Sequence, residues 1–136
     1  MSASLKNVLE EMTGKPVKTE HVDIYTNDDP VNRLDDGSFL YSNKKIRSNA
    51  WQGPGILEVY APWCPHCQEK VNAINVLASS TGAVYVLDGT TNPSFRFATG
   101  IEAYPTFLKV LPDGTLGEEI EGDLDEIVDY LNSLTA

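Results

Sequence analysis

Cysteine is nearly absent from this chain. Its 136 residues include two, both in the stretch APWCPHC at 61–67, and two histidines, one lying between those cysteines. So few thiols exclude a disulfide-stapled scaffold, and a chain of this length buries a core without staples. They also argue against structural zinc, which takes four Cys or His ligands. Basic residues are scarce: ten Lys and Arg face twenty Asp and Glu, for a net charge of −10. Nothing basic clusters to neutralise phosphates, so neither nucleic acid nor an anionic membrane surface is an expected partner. The acidity reads as solubility, with selection or repulsion of partners as the alternative. No apolar run nears the roughly 20 residues of a membrane span. The N-terminus MSASLKNVLEEMTGK lacks a basic region followed by an apolar one, so it does not read as a signal peptide. A cytoplasmic protein is the literal expectation, and a secretory compartment the alternative if a leader has been removed.

The length predicts one domain. Leu5, Val8, Leu9 and Met12 repeat at i, i+3, i+4, i+7 and predict a short amphipathic helix ended by Gly14 and Pro16. Residues 1–20 are therefore read as a helical extension, packed on the domain's own surface or docking a partner. Residues 17–55 are polar and turn-rich. HVDIY and SFLY are the candidate strands there, separated by TNDDPVNRLDDG, whose Asp, Pro and Gly mark turns. Nothing in this segment carries an evident chemical role, so it is read as cover for a sheet edge rather than a wall of a substrate groove.

From residue 56 the pattern sharpens. GILEVYA and AVYVLD are short apolar runs suited to buried strands. QEKVNAINVLASS between them carries a helical apolar face of Val71, Ile74, Leu77 and Ala78, and NPSFRFATG reads as a short helix closed by Gly100. TFLKVL and TLGEEIEG flank the turn Pro112-Asp113-Gly114. A last helix follows in GDLDEIVDYLNSL, its start marked by Asp123 three residues before Glu126. This order predicts an α/β fold, a central mixed sheet flanked by helices, over residues 21–136.

Two thiols at this spacing leave few chemistries. Gln68, not His, follows Cys67, which excludes c-type haem attachment. A structural disulfide closing so short a loop would remove little unfolded-state entropy. Redox chemistry is the favoured reading, and it needs no cofactor or metal. Cys64 falls where a strand gives way to a helix, where unpaired N–H groups and the helix dipole stabilise a thiolate. His66, if protonated, adds positive charge nearby. Stabilising the thiolate stabilises the reduced pair and makes the disulfide a better oxidant, about 30 mV for every 1.4 kcal/mol. Cys67, a turn further on, is the resolving thiol.

LEVYAPWCPHC and VLDGTTNPSFRFATGIEAYPTFLKV together resemble the thioredoxin superfamily, and its protein disulfide isomerase branch most closely. The resemblance covers residues 56–136 well and the first 50 or so poorly. It implies a thioredoxin-like fold with an N-terminal extension, and a thiol–disulfide oxidoreductase that oxidises or isomerises disulfides in protein substrates. It implies Cys64 as nucleophile, Cys67 as resolving cysteine and Glu58 as the buried acid that accepts the Cys67 proton, with His66 completing the catalytic set. Pro105 takes the place of the family's cis-proline, and Tyr104 beside it presents backbone to an extended substrate; Trp63 and Pro65 complete the substrate-binding set. Without the resemblance, Glu58 reads equally as an outward-facing strand residue, Tyr104-Pro105 as an ordinary turn and Trp63 as core packing.

Several positions depart from the family pattern. Val86 stands where many members place a lysine near the acid, leaving Glu58 more reluctant to ionise. Gly122 replaces the isomerases' loop arginine, which puts efficient reoxidation in doubt. Asn72 replaces a helix proline, so no kink is expected. The dipeptide Pro-His is the one seen in strongly oxidising bacterial periplasmic thiol oxidases. Against an oxidant stands the missing signal peptide, which favours a thioredoxin-like reductase because cytosolic pools keep thiols reduced. A cytoplasmic oxidant suits a setting where a thiol oxidase recharges it, such as a virion or the viral factory of a large cytoplasmic virus. A third class is a redox-sensitive binding module or an iron–sulfur bridging protein, which would need two chains to supply four thiols. AYPTF and EGDLDE match the glutaredoxin glutathione site badly.

Overall fold

A computed structural model of the protein describes residues 23–121 and 123–134. The expected N-terminal helix and the Gly122 position lie outside those residues. In chain order the elements are β1 (Asn32–Leu34), a single 3-10 turn (Asp36–Ser38), β2 (Phe39–Leu40), β3 (Lys45–Ile46), β4 (Gly55–Tyr60), α1 (Pro65–Thr81), β5 (Val84–Asp88), α2 (Pro93–Thr99), β6 (Thr106–Val110), β7 (Leu116–Glu119) and α3 (Leu124–Ser133).

Five strands make one mixed sheet in the order β1-β5-β4-β6-β7. β1, β5 and β4 run parallel, and β6 and β7 return antiparallel. β4 is central and buried at all six positions, as a run that is apolar but for Glu58 requires of a strand covered on both faces. Alternation along it sorts the core. Ile56 and Tyr60 point, with Glu58, into a layer closed by Ile74 and Ala78 of α1 and Ile127 and Leu131 of α3. Leu57 and Val59 point into the opposite layer, against Phe95 of α2 and Phe39 and Ile46 of the small β2–β3 hairpin. Each such side chain, fully buried, contributes roughly 1.5–3 kcal/mol.

The boundaries follow from local chemistry. Gly82 and Gly100 end α1 and α2 at φ values of 66° and 72°, in the left-handed region that glycine enters freely. Asp123 caps α3 by accepting a hydrogen bond from the Asp125 N–H at 3.0 Å. α1 runs through Asn72 without interruption, as the missing proline leads one to expect. The N-terminal half corrects the sequence reading. The edge strand is Asn32–Leu34, inside the segment taken as turns, whereas Asp23–Tyr25 of HVDIY bends and SFLY supplies one strand of the separate hairpin. Parallel pairing with β5 holds β1, and the Asn32 amide adds bonds to the carbonyls of Gly82 and Val84 at 3.3 and 3.1 Å. Tertiary pairing here overrides a sequence with little strand propensity.

Candidate active site

β4 delivers the chain to a tight turn, Ala61-Pro62-Trp63, closed by Cys64 N–H donating to the Ala61 carbonyl at 3.1 Å. Cys64 is then the N-cap of α1, with extended backbone. Pro65 begins the helix, where its missing N–H costs no hydrogen bond. The Cys64 Sγ accepts the Cys67 N–H at 3.3 Å, so one of the helix's unpaired donors points at the thiol. Negative charge on that sulfur is favoured by both this bond and the positive end of the 17-residue helix. Both thiols are free. Cys64 is 5% exposed and Cys67 is fully buried. Burial pushes the Cys67 thiol up far beyond the usual thiol range, with the Cys64 sulfur and Glu58 carboxyl adding to the shift. The two cysteines are thus unequal: one caps the helix end and just reaches solvent, the other is sealed behind it.

Facing them is the loop before β6. The Tyr104–Pro105 peptide is cis, and the Tyr104 carbonyl accepts from the Cys64 thiol at 3.3 Å. The ring of Trp63, 54% exposed, stands edge-on to Tyr104 at 5.9 Å between centroids, so Trp63 is not core packing. Tyr104 owes its position to a residue the sequence did not single out. A Cβ on Gly89 would lie 2.5 Å from the Tyr104 ring and 3.0 Å from Val59. Gly89→Ala is therefore expected to displace the ring at a cost of about 1–3 kcal/mol. Altered Trp63 fluorescence would report the displacement, and an unchanged spectrum would contradict it.

His66 points to solvent. Its Nδ1 lies 3.5 Å from Glu69 Oε2, and the two side chains are 75% and 69% exposed. Any imidazolium charge is offset by that carboxylate and screened by water. A shallow groove of about 360 Å³ opens between His66 and Pro105, with Lys70, Phe107, Glu119 and Ile120 along it.

Behind the cysteines lies Glu58, 0% exposed in the central strand. Desolvation raises its carboxyl to about 7, against opposing effects of the Tyr25 hydroxyl and the Lys70 charge. Val86 pairs in register with it, as expected, but the acid is not without a cation: Lys70, one helical turn beyond Cys67, supplies a weak one. Tyr25 brings residues 17–55 into contact with this acid, since its O–H donates to Glu58 Oε1 at 2.6 Å. Only the aromatic of HVDIY hinted at this contact, and nothing local could have paired it with an acid 33 residues away.

The thioredoxin family model matches residues 41–133. Protein disulfide-isomerase A2 of Pongo abelii is 36% identical over 97 residues, covering 65% of this chain and 18% of that protein. Protein disulfide isomerase-like 2-2 of Oryza sativa is 35% identical over 57% of this chain and 23% of its own length. The chain thus spans about a fifth of these curated relatives. Among solved structures, thioredoxin f from spinach chloroplast superposes with a TM-score of 0.60 at 22% identity, over 78% of this chain and 87% of its own. A thioredoxin from Trichomonas vaginalis gives 0.58 at 18% identity, over 79% and 99%. The solved structures match in fold, the family model matches the stretch that holds the Cys-x-x-Cys helix and the Tyr104–Pro105 loop, and the chain belongs to the thioredoxin family.

Proposed function

We propose that the domain is a thiol–disulfide oxidoreductase acting on protein segments, poised to oxidise or isomerise disulfides. The observation that carries this reading is the asymmetry of the pair: Cys64 Sγ receives a helix N–H and keeps a 5% exposed edge, while Cys67 is sealed in the core with its thiol pushed up. In the oxidising direction a substrate thiolate attacks Cys64 Sγ of the Cys64–Cys67 disulfide. A mixed disulfide forms, and Cys67 leaves as a thiolate that takes a proton from the Glu58 carboxyl. The second substrate thiol, deprotonated, attacks the substrate sulfur of the mixed disulfide and expels the Cys64 thiolate. One substrate disulfide is formed and two electrons rest on the enzyme dithiol. A thiol oxidase, or another disulfide of higher potential, must remove them. Isomerisation runs through the same mixed disulfide, entered by attack of the Cys64 thiolate on a substrate disulfide. The Tyr104 backbone, Trp63 and the groove beside Pro105 and His66 offer the surface along which an extended segment would lie.

The pairing of His66 with Glu69 favours a second reading, a thioredoxin-like reductase, because it weakens one of the charges that would make the disulfide oxidising. The test is to mix oxidised domain with a reduced peptide carrying two cysteines. The proposal expects one peptide disulfide for each Cys64–Cys67 disulfide lost. A peptide left reduced, beside a domain left oxidised, would overturn it.

A further inference from the structure

We infer that Tyr25 is a positioning residue for the resolving step: its phenol O–H eases ionisation of Glu58, the group that takes the Cys67 proton. The inference rests on the oxidoreductase reading above and names the group that tunes its base. Tyr25 and Glu58 are both buried, and the 2.6 Å bond runs from the phenol to Oε1. Oε2 has no hydrogen-bond partner among the described residues. One oxygen is thus engaged by a donor that favours the ionised form, and the other keeps its lone pairs for an incoming proton.

Among the described residues, the surroundings leave this work to Tyr25. β5 presents Val86 and β6 presents Phe107 in register with Glu58, neither side chain able to donate. α3 contributes Ile127 and Leu131 to this layer, and α1 contributes Cys67 and the distant charge of Lys70. On β4 itself Tyr60 gives its O–H to Asp23 Oδ1 at 2.7 Å, not to Glu58. Tyr25 is also built to stay in place. The Arg33 Nη1 donates to its carbonyl at 2.9 Å and its own N–H donates to Asp23 Oδ1 at 3.2 Å. Arg33 pairs with Asp23 as well, and the Tyr25 and Tyr60 rings meet edge to face at 5.1 Å. Burial raises the Asp23 carboxyl, but the bonds from Tyr60, Arg33 and the Tyr25 N–H outweigh it and hold the group below its ordinary value, so the clasp stays charged through neutrality. Burial and Glu58's charge together push the Tyr25 phenol well above its usual range, so it remains a donor at every pH at which the domain works.

In the release step Cys67 S–H passes its proton to Glu58, and the resulting thiolate attacks Cys64 Sγ of the mixed disulfide. The Cys64–substrate bond breaks and the substrate leaves as a thiolate. The test follows a single turnover of reduced domain with an excess of a disulfide peptide between about pH 5 and 9, by rapid quench. Attack by Cys64 depends on peptide concentration and release does not. In Tyr25→Phe, which keeps the ring against Tyr60, the acid limb of release should move up by about one pH unit or more, as expected from loss of a hydrogen bond to a charged group. The attack phase should be unchanged. A release limb superimposable on that of the unsubstituted domain would overturn the inference. Should the unsubstituted domain release no peptide at any pH, the oxidoreductase reading itself fails and this inference falls with it. Where Tyr25→Phe does not fold, the unsubstituted protein with 13Cζ-labelled tyrosine decides. The Tyr25 signal should shift with the midpoint of the Glu58 carboxyl, and a signal unmoved through that midpoint would overturn the proposal.

Discussion

Cys67→Ala is expected to turn the domain into a trap that holds its substrate as a mixed disulfide on Cys64. Cys64, the more exposed of the two thiols and with a helix N–H on its sulfur, can still attack a substrate disulfide. Without Cys67 behind it, nothing inside the protein expels the substrate thiolate. Cys64→Ser should abolish exchange altogether. A hydroxyl is not ionised at neutral pH, and losing a covalent nucleophile that works as one unit with its partners costs about 10⁴-fold or more. Mass spectrometry of each variant after incubation with a disulfide peptide makes the check. The peptide mass should be added to Cys67→Ala and absent from Cys64→Ser. An adduct on Cys67 in Cys64→Ser, at a rate like that of the unsubstituted domain, would reverse the two roles.

Glu58→Gln is expected to stabilise the fold at alkaline pH while slowing the resolving step. The folded carboxyl titrates at about 7, above its ordinary value of 4.5. Between those values the folded protein holds a proton that the unfolded chain has released, so stability falls as pH rises through this window and levels off above it. The loss from this group is on the order of 3 kcal/mol. The glutamine amide has no proton to lose and still offers Tyr25 an acceptor, but its N–H donors sit where Oε2 has no partner among the described residues. The variant should be no better than the parent at about pH 5, and the difference between them should move by about 2.5 kcal/mol in its favour by about pH 8. Urea unfolding at the two pH values measures this, because contributions from the other titrating groups cancel in the comparison. Release from the mixed disulfide should slow about 10²-fold or more, as for loss of a general base. Parallel stability curves for the two proteins would show that Glu58 ionises as freely in the fold as out of it.

The fold was legible where single segments carry their own signals. The branched run of β4 and the apolar stretch of β5 announce buried strands, and Gly100 and Pro112-Asp113-Gly114 sit at the helix end and turn they were expected to make. β1 was not legible. Three residues, Asn32, Arg33 and Leu34, become a strand only because β5 offers a parallel edge. The cysteine pair could be read directly, since both thiols and the helix that begins between them are adjacent in sequence. Glu58 could be read only through the family resemblance, because its burial depends on strands placed on either side of β4. The polar clasp around it joins residues 2 to 37 positions apart and leaves no periodic trace. The spacing of His66 and Glu69 was there to be seen, and it limits how much the histidine can do.

Whether Cys64 and Cys67 form a redox pair with its reduced form stabilised enough to make the disulfide an oxidant or isomerase is a question of one number. Equilibration against glutathione buffers gives the reduction potential of the pair. The helix N–H and dipole on Cys64 lead us to expect about −180 mV or higher, within the range of the isomerases and oxidants of this chemistry. A potential of about −270 mV would refute the oxidising assignment and make the domain a reductase.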